Sequence, residues 1–207
     1  MALPALILLL VLTGSNIVIL RNVPLPGEMP PPAFAAAAIV RIVGLIACAV
    51  ALLRIVTGSA RPAWRPDAGL WLYALLTMIG LGIGVAAGAL VGAAADPPSL
   101  LLRSALTILL LAPFAPWMVG ATVAVPIGWH PAHYLRDFGG WLPWLMFWSL
   151  VIVVPMGFAH AIIGLRLIAG AGTLFWPLAL LDGALSTAMA LIGFALNAEA
   201  YRAVARR

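Results

Sequence analysis

AFAAAAIVRIVGLIACAVALLRIV, residues 33–56, is the stretch on which the fold turns. It carries two charges, Arg41 and Arg54, and no proline in 24 residues. At about 1.5 Å per residue, roughly 20 apolar residues in a helix cross the ~30 Å hydrocarbon core of a bilayer. Working outward, residues 2–20, 70–94, 100–125, 141–165 and 174–196 form further apolar runs of this kind. A backbone in hydrocarbon must satisfy its own polar groups, and a helix does so within one segment. The expected fold is an all-α polytopic membrane bundle of about six transmembrane helices. It forms one transmembrane domain over residues 1–207.

Composition points the same way. Hydrophobic residues make up 65% of the chain and charged residues 8%, against roughly 25% charged in a soluble domain. Too few charges remain to clothe a soluble core. All 11 basic residues are arginine, which excludes lysine-based chemistry such as a Schiff base. The formal charge of +5 resides mostly on loop and terminal arginines. In a membrane protein these record orientation and headgroup contact, so no nucleic-acid partner is implied. Cys48 is the single cysteine, so no intrachain disulfide and no cysteine-based zinc site can form. Residues 2–12 suggest a signal peptide but lack a basic n-region and a small-x-small cleavage site. The run continues to Leu20, and the expectation is a retained first span.

The loops set the orientation. Pro24, Pro26, Pro30, Pro31 and Pro32 fill the first loop. Asp96-Pro97-Pro98-Ser99 predicts a tight turn with Ser99 as N-cap. With the N-terminus inside, Arg54, Arg61, Arg65, Arg136, Arg202, Arg206 and Arg207 are cytoplasmic, and Arg21, Arg103 and Arg166 are external. This asymmetry favours a multi-pass protein of a bacterial inner membrane with both termini cytoplasmic. Trp64, Trp71, Trp129, Trp141, Trp144 and Trp176 fall near the predicted interfaces. Residues 130–144 read as an interfacial connector.

Two features bear on packing. Gly80, Gly84, Gly88 and Gly92 recur every fourth residue and present one face for close helix approach, a glycine zipper within the bundle or between copies. Pro113, Pro116 and Pro155 fall inside predicted spans, where they kink a helix or free carbonyls for a solute.

The intramembrane polar residues are few and level with one another. Arg41 and Asp182 each lie eight residues past the start of a span, ~12 Å below the same surface. His160 lies ~7.5 Å from that surface, five residues before its span ends. Asn16 is four residues from it. Charge at the bilayer centre costs at least ~2.5–3.5 kcal/mol, so such groups face inward and pair. Asn16, Arg41, His160 and Asp182 are therefore the candidate polar cluster, with Arg41 and Asp182 expected as an ion pair. The pattern marks no residue as catalytic and none as a metal ligand. A bis-histidine haem lacks a second histidine at the depth of His160. His130, His133 and Asp137 could offer loose metal ligands, but an amphipathic connector explains them more simply.

Two short stretches resemble elements of known families. LTGSNIVI, residues 12–19, resembles the Gly-x-Asp-Asn element of TerC-type membrane proteins, but Ser15 replaces the metal-binding aspartate. Asp182-Gly183 resembles the opening of the CDP-alcohol phosphotransferase motif, whose further aspartates are missing. Neither stretch carries its family's chemistry here, and no cofactor is implied. The partners expected are the lipid bilayer and either other membrane subunits or further copies of the chain. Three functions remain open on sequence: a small permease or channel-like protein, a noncatalytic subunit or assembly factor of a larger membrane complex, and a membrane-embedded enzyme acting on a lipid or quinone.

Overall fold

The computed structural model describes residues 2–24, 27–91, 97–123 and 140–205. Six helical spans, Ala2–Arg21, Pro32–Thr57, Ala68–Val91, Pro98–Val123, Leu142–Ile168 and Gly172–Ala203, are long and apolar enough to cross a membrane. They are numbered one to six below. No strand occurs among the described residues. The protein is an all-α helical bundle of the multi-pass membrane type.

Spans two and six form the centre. Ile46, Val50 and Leu53 of span two meet Tyr73, Val119 and Tyr201 from spans three, four and six. On its other side, Cys48 and Leu52 pack with Leu8 and Leu12 of span one. Across its apolar window span two is 44% buried, whereas span three is 11% and span five 6% buried. Spans three and five therefore lie at the periphery, where lipid or a partner covers them.

The prolines act locally, on the helical hydrogen-bond ladder. Proline has no N–H, so Pro116 cannot bond the carbonyl four residues back, at Ala112. A single 3-10 turn, Ala112–Phe114, resolves this: the Ala115 amide takes the Ala112 carbonyl instead. In span five, Pro155 follows one turn of π-helix, Ser149–Val153, the widening that a missing donor and a crowding ring favour. Span two stops at Gly58, whose φ of 67° lies in the left-handed region. That conformation lets Ser59 N–H reach the Arg54 carbonyl at 2.9 Å, and a Cβ would oppose it.

Two details differ from the sequence reading. The fourth-span helix already includes Pro97 and Pro98, so Ser99 lies inside it and is not the N-cap. Span six is longer than predicted, because its helix continues past Leu196 and carries Arg202 to the Val56 carbonyl at the end of span two. Gly92, His130, His133 and Asp137 lie outside the described residues.

Candidate functional site

Asn16, Arg41, His160 and Asp182 meet in one hydrogen-bonded chain that joins spans one, two, five and six. Helix rise explains their common level. Arg41 is nine residues past Pro32 and Asp182 ten past Gly172, ~13.5 and ~15 Å from the same end of the bundle. His160 is eight residues before Ile168 and Asn16 five before Arg21, ~12 and ~7.5 Å from that end.

Arg41 and Asp182 were expected to interact, and they do so by Coulomb attraction with Asn16 between them, without a direct salt bridge. Arg41 Nη1 donates to Asn16 Oδ1 at 3.1 Å. Asn16 Nδ2 donates to Asp182 Oδ2 at 2.5 Å. The salt bridges among the described residues include none between Arg41 and Asp182. An amide offers an acceptor and a donor on one plane, so Asn16 can face a cation on one side and an anion on the other. This also fixes the orientation of its amide, since the flipped form would set donor against donor and acceptor against acceptor.

The second carboxylate oxygen, Asp182 Oδ1, lies 2.6 Å from His160 Nδ1. Facing an ionised carboxylate, which only accepts, Nδ1 is the donor and Nε2 the second ring nitrogen; the roles of the two nitrogens depend on the tautomer. Ser186 Oγ stands 3.3 Å from the same Nδ1. Exposure is graded along the chain. Asp182 is fully buried, and Asn16 and Ser186 are buried at 6% and 4% exposure. The His160 side chain keeps 30% of its surface open, and Arg41 is half-buried. The network thus has a dry carboxylate at its centre and partly open groups at both ends. Chemically it can take a proton at His160 Nε2 and balance the imidazolium against Asp182. The described residues hold no group of three histidine, cysteine or acidic side chains that could ligate a metal.

Gly183 makes the site compact. A Cβ there would lie 2.0 Å from Thr13 Oγ1 and 2.7 Å from Thr13 Cβ. Spans one and six therefore touch beside Asp182, and Thr13 Oγ1 is buried there without a hydrogen-bond partner. Sequence reasoning passed over Thr13 and Ser186. The signal for both was helical spacing: Ser186 is one turn from Asp182, and Thr13 one turn from Asn16.

The predicted glycine face meets side chains, not backbone. A Cβ at Gly80 would face Leu111 Cδ2 at 3.3 Å, and one at Gly84 would face Thr107 Cγ2 at 3.7 Å. At Gly88 it would lie 2.9 Å from Arg103 Cζ. Glycines outside that series mark the tight approaches: Gly44 against Val11 at 2.6 Å, Gly69 against the Ala121 carbonyl at 2.3 Å, and Gly183.

A second polar centre sits at the opposite end. Arg54, counted from sequence among the cytoplasmic-side charges, has a side chain with no exposed surface. Its Nε donates to the Thr122 carbonyl at 3.0 Å, and Nη1 donates to the carbonyls of Pro62 at 3.0 Å and Arg65 at 2.8 Å. Its Nη2 pairs with Asp67 Oδ1 at 2.6 Å. Burial by itself would raise the Asp67 carboxyl, but the Leu70 amide, Arg54 and Arg61 outweigh it and hold it below the usual carboxylate range. Four of five guanidinium donors are spent on the connection between spans two and three and on the end of span four. This is a structural clamp.

Comparison with protein-family models, curated proteins and solved structures gives no match. The class that the architecture defines is a multi-pass, all-helical membrane protein.

Proposed function

We propose that the chain is a small proton-coupled permease or channel-like protein of a bacterial inner membrane, with both termini cytoplasmic. One observation carries this reading: Asp182, fully buried ~15 Å into span six, shares its two oxygens between Asn16 and the part-exposed His160. An isolated anion at that depth is expensive, so groups that can exchange a proton there mark ion and proton pathways. In this reading His160 is the entry point, Asp182 the buried acceptor, and Asn16 with Arg41 the fixed counter-charge.

The test is proton flux into liposomes holding the purified chain, read with an enclosed pH-sensitive dye under a potassium diffusion potential. Flux above that of empty liposomes, lost in Asp182→Asn and His160→Gln, supports the reading. Flux equal to that of empty liposomes, or unchanged in both variants, removes it. A second reading, a noncatalytic subunit of a larger membrane complex, draws support from the shallow burial of spans three and five. A stoichiometric membrane partner retained through mild-detergent purification would favour it. The enzyme reading requires a lipid-facing groove lined by Arg41, His160 or Asp182.

A further inference from the structure

Between spans three and four runs an apolar trough of about 450 Å³. Gly80 and Gly84 form part of its floor, and Leu111, Phe114 and Met118 line it further along. Thr77 and Thr107 are its uncharged polar members, and the Thr77 hydroxyl is already spent on the Tyr73 carbonyl at 2.9 Å. The single charge in the lining is Arg103.

Arg103 is exposed, and no salt bridge among the described residues involves it. It lies six residues after Pro97, ~9 Å into its helix. Helical side chains tilt toward the helix N-terminus, so a long arginine there reaches back to the level of lipid headgroups. The guanidinium passes close over Gly88, where an added Cβ would lie 2.9 Å from both Cζ and Nε. From Leu76 to Val85 the trough follows ~13.5 Å of span three. It therefore joins a cation at headgroup level to an apolar channel running toward mid-membrane.

We propose that this trough is a binding site for an anionic phospholipid, with its phosphodiester on Arg103 and one acyl chain along Gly84 and Gly80. Charge complementarity selects the occupant. An uncharged sterol or neutral chain would leave Arg103 without a counter-ion, and a free phosphate would leave the trough unfilled. The site is separate from the Asn16–Asp182 network and does not depend on the permease reading.

The full chain, delipidated in detergent, is incubated with phosphatidylglycerol and phosphatidylcholine of matched chains, and bound lipid is counted by native mass spectrometry. Phosphatidylglycerol should be preferred by about fivefold, the effect of one basic residue at a membrane surface. Arg103→Gln should bring that ratio close to one. Gly84→Leu should reduce binding of both lipids by filling the trough. Thr107→Phe fills it from the other wall and serves if Gly84→Leu does not fold. An unchanged preference in Arg103→Gln overturns the headgroup assignment. Unchanged binding in a folded trough variant overturns the chain assignment. Competition by chain-free glycerophosphoglycerol as effective as that by the intact lipid would show a simple anion site and overturn the proposal.

Discussion

Arg41 and Asp182 carry opposite charges at one level of the bundle, and Asn16 stands between them, accepting from one at 3.1 Å and donating to the other at 2.5 Å. The two charges share a bridging amide and also attract one another directly. Removing one member of a buried charged set typically costs ~3–5 kcal/mol, because the other is left uncompensated. Arg41→Met and Asp182→Leu should each destabilise, and the double variant should recover part of the loss. In an Asn16→Leu background the recovery should be smaller but not absent. Thermal unfolding of the eight combinations checks this. Equal coupling with and without Asn16 would show that the amide carries none of it.

Gly183→Ala should be among the most damaging small substitutions, since the added carbon has to displace Thr13 between two packed spans. Overpacking of this kind costs ~1–3 kcal/mol. Gly82→Leu should be tolerated, because a Cβ there meets nothing within 4 Å. Ala87, which the four-residue spacing would set opposite the glycine face, is fully buried, so Ala87→Leu should also be harmful. The yield of monodisperse protein in detergent ranks the three.

The Arg54 clamp predicts a pH dependence. The Asp67 carboxyl is held below its ordinary value, so its pairing contributes full stability above the unfolded value of about 3.9. That contribution is lost as pH falls through the lower folded value. Asp67→Asn should flatten the acid limb of the melting-temperature profile. Arg54→Lys should destabilise at every pH, since a point charge with three donors cannot reproduce a planar fork bonded to four acceptors. A wild-type acid limb that persists in Asp67→Asn would assign it to other carboxylates.

Orientation has its own test. In intact cells, Glu28→Cys in the proline-rich loop should react with an impermeant maleimide. Labelling only after lysis would invert the proposed topology and leave the six spans as they are.

What the sequence determined by itself is whatever adds up along the chain. The six spans follow because crossing hydrocarbon demands a run of apolar residues, and that demand is local. The shared depth of Asn16, Arg41, His160 and Asp182 follows from counting helix rise. Azimuth was not legible. In a soluble helix an apolar stripe marks the inward face, but lipid tails are as apolar as a packed interior, so a membrane helix need not carry one. Only the tertiary structure therefore decided that Asn16 lies between Arg41 and Asp182 and that Ala87 is buried. It likewise decided that Arg54 turns inward to bind the chain around it, and that Gly44, Gly69 and Gly183 make closer helix approaches than Gly80, Gly84 or Gly88. Each depends on which helices are neighbours and how each is rotated, a property of the assembled bundle that no single span encodes.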